Sequence, residues 1–232
     1  KAIEALYKIA ADKRDTDDSI KLMRLKSHYP QGAEKVLIYT ATGRRVPAGK
    51  LPSDVGCVVM NITSISVLNK YINTGMPLVS KTVTVDGAAV REPQNVVVPI
   101  GTSVKDVIEF CDGFKSTPRK ILYGGPMMGT ALINTDMPIL KQNNAIIAMD
   151  RRQSEKQKET QCIKCGRCAS VCPMKLQPFN IEATLRCSDI SELKTLHAEY
   201  CIECGCCSYI CPAKRNLTQS MRLAKAELRN SK

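Results

Sequence analysis

Eight of the twelve cysteines fall into two runs that share one spacing. In each run three cysteines recur at every third position, and a fourth follows four residues later, directly before a proline. This C-x2-C-x2-C-x3-C-P pattern is that of two-cluster ferredoxins, whose thiolates hold 4Fe-4S clusters. The first run is Cys162, Cys165, Cys168 and Cys172, and the second is Cys201, Cys204, Cys207 and Cys211. The sequence therefore predicts two 4Fe-4S clusters and one-electron transfer.

The spacing also predicts which cysteines share a cluster. Three cysteines at three-residue intervals in a tight turn reach three corners of one cubane, whereas the fourth lies too far along and serves the other cluster. Cluster I is expected to use Cys162, Cys165, Cys168 and Cys211. Cluster II is expected to use Cys201, Cys204, Cys207 and Cys172. Gly166 and Gly205 permit the tight turns, and we expect their amides to hydrogen-bond to sulfur.

Zinc and disulfides are the alternative uses of these cysteines. Paired C-x2-C motifs bind zinc, but four zinc ligands would leave the fourth cysteine and the proline of each run unexplained. A disulfide framework would staple the whole chain, whereas ten of the twelve cysteines lie between Cys162 and Cys211. The 4Fe-4S interpretation is therefore favoured.

Four cysteines fall outside the two ligand sets. Cys57 and Cys111 lie in an expected strand and helix and are predicted to be core residues. Cys187 is predicted to be a buried thiol between helices. Cys206 adjoins the ligand Cys207, so its side chain is expected to point away from the cluster.

The formal net charge of +12 limits the choice of partners. Lysines and arginines are scattered, aromatic residues make up 4%, and no nucleic-acid motif is present, so no nucleic-acid partner is expected. A basic chain suits anionic clusters, an acidic partner or the negative inner face of a membrane. No apolar run approaches the roughly 18 residues of a membrane span. The chain opens at Lys1 without a methionine, and we expect it to be a fragment.

The remaining sequence predicts an α+β multidomain protein with three segments. Residues 1–75 alternate helix and strand, with a helix at 1–13, strands at 20–26 and 55–62, a helix from Glu34, and a helix capped by Thr63 or Ser64. This alternation indicates part of an α/β sheet domain.

The other two segments have different patterns. Residues 76–149 show the order strand, strand, helix, strand and a closing strand, with a hairpin signal at Asp86-Gly87 and a helix cap at Thr102 or Ser103. This order indicates a small β-grasp domain. Residues 150–232 hold the cysteines, and helical patterns at 181–185, 190–196 and 221–228 predict a helical cluster domain.

Beyond the shared spacing, the residues around the cysteines resemble a known family. The resemblance is carried by residues 174–178 after the first run, by Cys207-Ser208-Tyr209, by Tyr29-Pro30-Gln31-Gly32, and by residues 123–129, Tyr-Gly-Gly-Pro-Met-Met-Gly. These motifs are similar to those of the C subunit of the Rnf electron transport complex. The resemblance extends over essentially the whole chain.

That resemblance implies a function. Rnf is a membrane complex that couples electron transfer between ferredoxin and NAD to ion movement, and its C subunit is peripheral, on the cytoplasmic face of the membrane. The implied partners are the other Rnf subunits, including an iron–sulfur subunit, together with NAD(H) and, indirectly, ferredoxin. The implied order is the remnant of an α/β flavin-binding domain (1–75), an SLBB-like β-grasp domain (76–149) and a helical two-cluster ferredoxin domain (150–232).

FMN and NAD are implied for the full-length protein. The Gly-rich flavin loop of the family is not found in this sequence and would precede Lys1. Glu34 and Asn61 resemble positions that line the flavin and nicotinamide site, although Glu34 also suits a helix N-terminus and Asn61 a cap. No residue is assigned as a general acid or base.

Two alternative functions remain open from the sequence. One is a soluble flavin/iron–sulfur reductase of similar layout, such as a cobalamin reductase. The other is a scaffold in which the clusters are structural.

Overall fold

A computed structural model describes residues 21–155 and 157–231, which belong to two compact units divided between Val59 and Met60. In the first unit, helix α1 is Glu34–Thr42, and a 3-10 turn follows at Pro52–Val55. Ile38 is the buried residue of α1. The helix expected from Glu34 is confirmed.

Two strands predicted in the first segment are wrong. Residues 21–28 have no regular structure, and residues 57–61 are irregular, with Val58 83% exposed. An apolar run forms a buried strand only where neighbouring strands pair with its backbone, and residues 21–59 contain no strand. The α/β sheet expected for residues 1–75 is therefore not formed by those that the structure describes, and the helix predicted at 1–13 lies outside them.

The second unit begins with helix α2, Ile62–Thr74. Its cap is Asn61 rather than Thr63 or Ser64, because the Asn61 side-chain oxygen accepts a hydrogen bond of 2.9 Å from the Thr63 amide. The helix ends before Gly75, as expected.

A five-stranded mixed sheet and one helix follow α2. The strands are β1 Ser80–Asp86, β2 Gln94–Pro99, β3 Lys120–Tyr123, β4 Thr130–Ala131 and β5 Ala145–Met149. Their order is β2-β1-β5-β3-β4, in which β1 and β5 are parallel and the other neighbours antiparallel. A hairpin at each end with a parallel pair of strands in the centre is the β-grasp arrangement, so the predicted β-grasp domain is confirmed.

Alternating side chains place the core of this sheet on one face. Val83 and Val85 of β1 are fully buried, while their neighbours along the strand are exposed. Helix α3, Val104–Phe110, covers that face with Val107 and Ile108 and is capped by Ser103, as predicted. Each such buried side chain contributes about 1.5–3 kcal/mol to folding.

The Asp86-Gly87 pair does not make the tight hairpin turn that the sequence suggested. Strands β1 and β2 do form a hairpin, but residues 87–93 connect them. Gly87 has a φ of +117°, and a Cβ there would lie 2.1 Å from the Ala148 carbonyl oxygen of β5. Glycine is thus required by the close approach of two backbones.

The cysteine region is helical, as predicted. Its helices are α4 Arg167–Ser170, α5 Pro178–Arg186, α6 Ile190–Thr195, α7 Cys206–Ile210 and α8 Leu217–Asn230, with a 3-10 turn at Ala198–Tyr200. Ile181 and Leu193 pack with Met221 on α8 to form an apolar core beside the cysteines.

These helices reveal an internal repeat longer than the cysteine motif. In each half a cysteine-bearing turn leads to a short helix, α4 or α7, and then to a longer helix, α5 or α8. The backbone conformation of the two turns repeats as well. Lys164 and Glu203 occupy equivalent positions, and both are left-handed, with φ of 54° and 56°. The sequence indicated only the cysteines as a repeat, since the two longer helices differ in most side chains.

Candidate metal centres

The four cysteines predicted for cluster I come together around one small space. They are Cys162, Cys165, Cys168 and Cys211. Cys162 and Cys165 are exposed, whereas Cys168 and Cys211 are buried. Cys162 and Cys165 lie on the turn leading into α4, Cys168 lies in α4, and Cys211 comes from the end of α7 in the other half of the repeat.

The four cysteines predicted for cluster II surround a second space. They are Cys172, Cys201, Cys204 and Cys207. Cys204 and Cys207 are buried, and Cys172 and Cys201 are half-buried. Each run thus places its fourth cysteine beside the other run's first three.

The residues around both spaces suit a 4Fe-4S cluster. Thiolates are soft donors that hold iron–sulfur clusters, and all twelve cysteines are free of disulfides. Backbone amides also face the sulfurs: the amides of Lys164 and Glu203 donate to Cys162 and Cys201 at 3.4 Å and 3.3 Å. Amide donors of this kind orient and stabilise thiolate ligands.

The two glycine turns have the conformation that the sequence predicted. Gly166 and Gly205 have φ of +73° and +86°, in the left-handed region that favours glycine. The amides that donate to Cys162 and Cys201 belong to Lys164 and Glu203, whereas the sequence had suggested the glycine amides for this role.

A loop of the β-grasp segment closes over the cluster II turn. This loop, residues 124–129 after β3, carries Met127, and a Cβ on Gly205 would lie 2.9 Å from the Met127 carbonyl oxygen. Gly205 is buried there, whereas a Cβ on Gly166 would meet no atom within 4 Å. The loop with the Gly-Gly-Pro-Met-Met-Gly motif therefore packs against the cluster II turn at Gly205. It leaves the equivalent position of the cluster I turn, Gly166, open.

Burial keeps several of these thiols protonated in the absence of metal. It raises the pKa of Cys201 to about 11, and it also raises the pKa of Cys168 and Cys207. Because metal ligation requires the thiolate, cluster assembly must release these protons. These raised thiol pKa values therefore apply to the chain before a cluster is bound.

Cys206 does not lie where the sequence placed it. Its side chain was predicted to point away from the cluster, but it lines the cluster II space beside the ligand set. Burial and a hydrogen bond with Cys204 raise the pKa of Cys206 to about 12. The error arises because Cys206 begins helix α7, whose first turn faces the same space as Gly205 and Cys207.

Of the three other extra cysteines, Cys111 matches its prediction, whereas the predictions for Cys187 and Cys57 are wrong. Cys111 is fully buried in the β-grasp core, as expected. Cys187 is exposed at the end of α5 rather than buried between helices, because the helix ends there. Cys57 is half-buried outside any strand.

A buried ion pair connects the segments that carry the cluster I ligands. Arg215, four residues after Cys211, donates to both carboxylate oxygens of Glu182 on α5, and both side chains are 8% exposed. Arg215 also donates to the Thr160 carbonyl at 3.0 Å, two residues before Cys162, and lines the cluster I space. The hydrogen bonding of Arg215 to the Glu182 carboxylate, which accepts, raises the pKa of Arg215 above its usual value.

Different ion pairs connect the cluster II turn to helix α8. Glu203 lies 2.5 Å from Lys225 and 3.1 Å from Arg222, both on α8. Burial alone would raise the pKa of Glu203, but its hydrogen bonds and charge contacts with Lys225 and Arg222 outweigh burial and lower it. Lys225 also donates to the Cys201 carbonyl at 3.0 Å. No sequence signal marked these contacts, because their partners are far apart in the chain.

Glu34 and Asn61, the two flavin-site candidates, both have local structural roles. Glu34 is exposed in the first turn of α1, where its charge complements the helix dipole. Asn61 uses its amide oxygen to cap α2. The two residues belong to different compact units.

Family models match most of the chain. The Nuo51 FMN-binding domain matches residues 1–70, and the SLBB domain matches 82–131. Two families of 4Fe-4S dicluster domains match residues 161–214 and 115–177.

Curated relatives are similar over most of this chain. It is 45% identical, over 77% of its length, to the C subunit of the proton-translocating ferredoxin:NAD(+) oxidoreductase complex of Clostridium ljungdahlii, covering 38% of that protein. It is 42% identical over 98% of its length to the C subunit of the Na(+)-translocating ferredoxin:NAD(+) oxidoreductase complex of Acetobacterium woodii, covering 50% of it. The C subunit of the ion-translocating oxidoreductase complex of Rhodobacter capsulatus is 40% identical over 98% of the chain, which covers 43% of it. The chain thus spans half or less of the length of these relatives.

The fold, the two crossed cysteine quartets and the dicluster match define an iron–sulfur protein with two 4Fe-4S clusters and an attached β-grasp domain of the SLBB type. The chain belongs to the family of C subunits of Rnf-type, ion-translocating ferredoxin:NAD oxidoreductase complexes. Among the residues that the structure describes, none forms a helix long and apolar enough to cross a membrane.

Gly205→Ala should destabilise the protein more than Gly166→Ala. A non-glycine residue in the left-handed region costs about 1–2 kcal/mol at either position. Gly205→Ala adds a clash with the Met127 carbonyl, for which about 1–3 kcal/mol is typical of overpacking. Anaerobic urea unfolding of the cluster-loaded protein, followed by cluster absorbance, measures the difference. Equal losses of stability in the two variants would contradict the packing of Met127 on this turn.

Glu182→Gln should destabilise the cluster domain by on the order of 3 kcal/mol, because it leaves the buried Arg215 charge with only the more exposed Glu159 carboxylate, 3.5 Å away. Glu227→Gln on the exposed side of α8 is the matched control and should change little. Urea unfolding monitored by circular dichroism and by loss of iron measures both. A Glu182→Gln protein as stable as the control would show that the pair does not hold the cluster I segments together.

Proposed function

We propose that this chain is an electron-transfer subunit of a membrane-associated ferredoxin–NAD oxidoreductase complex of the Rnf type. The two crossed cysteine quartets carry the proposal, because they line two spaces in one small helical domain and would each hold one cluster there. When bound, the clusters supply one-electron relay. The residues of the chain do the rest: thiolates hold the metal, amides orient the thiolates, and Met127 covers one cysteine turn.

The ligand assignment within this proposal is specific. Cys162, Cys165, Cys168 and Cys211 would hold cluster I, and Cys201, Cys204, Cys207 and Cys172 would hold cluster II. Zinc is disfavoured, because both cysteine runs have the C-x2-C-x2-C-x3-C-P spacing of two-cluster ferredoxins. The dicluster match supports the same choice of metal.

The wider assignments come from the relatives. We place domain boundaries at 1–75, 76–149 and 150–232, and Glu34 and Asn61 near the flavin and nicotinamide region of the full-length protein. Proposed partners are the other subunits of the complex, including an iron–sulfur subunit, together with NAD(H) and, indirectly, ferredoxin. The location would be the cytoplasmic face of the membrane, by peripheral association, and ion transport would be the task of other subunits.

The alternative functions have less support. The curated relatives give no support to a soluble cobalamin reductase. A structural role for the clusters would require that electron flow persist after a cluster ligand is removed.

The test is anaerobic iron and sulfide analysis with EPR of the dithionite-reduced protein. Two 4Fe-4S clusters require about eight iron and eight sulfide per chain and two interacting paramagnetic centres on reduction. Cys165→Ser should lose about half of this iron, whereas Cys187→Ser, at an exposed cysteine outside both quartets, should lose none.

Two outcomes would contradict the proposal. Tightly bound zinc in place of iron, with no EPR signal, would leave the quartets without redox chemistry. Full iron content with no reducible centre would favour the scaffold.

A further inference from the structure

The internal repeat places a polar side chain beside one cysteine quartet and an aromatic one beside the other. Thr218, in the first turn of α8, lines the cluster II space. Its equivalent in the first half is Phe179, just as Cys168 is the equivalent of Cys207, and Phe179 lines the cluster I space. Among the described residues around the cluster I space, none carries a hydroxyl group. The two quartets therefore differ in a potential hydrogen-bond donor.

The Thr218 hydroxyl lies beside a proposed cluster ligand. Its oxygen is 3.8 Å from the Cys207 sulfur, a hydrogen-bond distance for the larger sulfur atom, and 2.8 Å from the Ser208 hydroxyl oxygen. Ser208 also accepts a hydrogen bond of 2.8 Å from the Thr218 amide. The equivalent of Ser208 in the first half is Ala169, so both hydroxyl groups belong to the cluster II half alone.

Ligation fixes the direction of these hydrogen bonds. A cysteine that holds a metal does so as the thiolate, so Cys207 can then only accept a hydrogen bond. The Thr218 hydroxyl is the donor to Cys207, and its oxygen accepts from the Ser208 hydroxyl. Ser208 in turn accepts from the Thr218 amide. Ser208 thus holds the Thr218 hydroxyl with its proton directed at the sulfur.

We propose that Thr218 raises the reduction potential of cluster II by donating a hydrogen bond to Cys207, and that Ser208 positions its hydroxyl for this. This deepens the proposed function and rests on it. Reduction adds one electron, and part of the added negative charge falls on the sulfur ligands. A donor to sulfur therefore stabilises the reduced state more than the oxidised state, and hydrogen bonds of this kind are among the features that set iron–sulfur potentials.

The same two residues also have a structural role, which the test must separate from the effect on potential. Ser208 accepts from an amide of the first turn of α8, and such amides have no partner within the helix. This contact uses the Thr218 amide rather than its hydroxyl. Thr218→Val therefore removes the donor to Cys207 but keeps the amide and the branched shape of the side chain.

The test compares Thr218→Val with Thr218→Ser, which keeps the hydroxyl, and with Thr195→Val as the matched control. Thr195 lies on α6, is exposed, and is not among the described residues around either space. Anaerobic redox titration followed by EPR measures both midpoint potentials, after equal iron and sulfide have been established. The cluster II midpoint is the one that remains in Cys165→Ser, which the proposed ligation leaves with cluster II.

The expected result is confined to one cluster. Thr218→Val should lower the reduction equilibrium constant of cluster II by about three- to tenfold, as for the loss of one hydrogen bond, and tenfold is about 59 mV for one electron. The cluster I midpoint should not change. Thr218→Ser and Thr195→Val should match wild type at both clusters.

Ser208→Ala is a second, independent variant. Alanine fits this turn, because Ala169 occupies the equivalent position in the first half. The variant keeps the Thr218 hydroxyl but removes the group that directs it, so it should lower the cluster II midpoint by less than Thr218→Val does. If Thr218→Val does not assemble cluster II, Ser208→Ala decides the question by the same criterion.

Three outcomes would overturn the proposal. An unchanged cluster II midpoint in Thr218→Val or, where that variant lacks the cluster, in Ser208→Ala would show that the hydroxyl does not act on the sulfur. Equal shifts at both clusters, or the same shift in Thr195→Val, would indicate a general change of the domain. A shift that Thr218→Ser shares would assign the effect to side-chain shape. A wild-type chain without iron or without a reducible centre would instead contradict the proposed function, so the two failures are distinguishable.

Discussion

The constraint on which the cluster domain depends, under the proposed ligation, is that each 4Fe-4S cluster would take one cysteine from the opposite half of the repeat. Cys172 and Cys211 must therefore cross, and crossing requires α4 and α7, the helices that follow the two turns, to lie side by side. The buried Arg215–Glu182 pair and the pairing of Glu203 with α8 both fasten segments next to these crossings. The spacing of the cysteines alone would not bring the two runs together.

The same constraint separates the two clusters chemically. The halves repeat in backbone, but their side chains differ, so equivalent positions carry Arg215 near cluster I and Leu176 near cluster II. One quartet is open and basic, and the other is enclosed and covered by Met127. The β-grasp domain is therefore more than a spacer, because its loop of residues 124–129 packs against the cluster II turn.

Spacing made the cysteine quartets and the β-grasp order predictable, because both depend on local periodicity. The contacts that hold them were not predictable: Arg215 with Glu182 and Met127 with Gly205 join residues far apart in the chain, and no sequence rule pairs them. The strand predicted at 55–62 was wrong because its apolar pattern depends on neighbouring strands that residues 21–59 do not contain. The prediction for Cys206 was wrong because a position next to a ligand in the sequence does not determine on which side of the turn the side chain lies.

The most direct measurement is EPR and iron analysis of four single cysteine-to-alanine variants, made at Cys162, Cys211, Cys201 and Cys172. If the ligands cross, Cys162→Ala and Cys211→Ala will each lose the same cluster and leave the same residual spectrum. Cys201→Ala and Cys172→Ala will share the other residual spectrum, although Cys172 belongs to the first run. Matching residual spectra for Cys211→Ala and Cys201→Ala would contradict the crossing, because each run would then hold its own cluster.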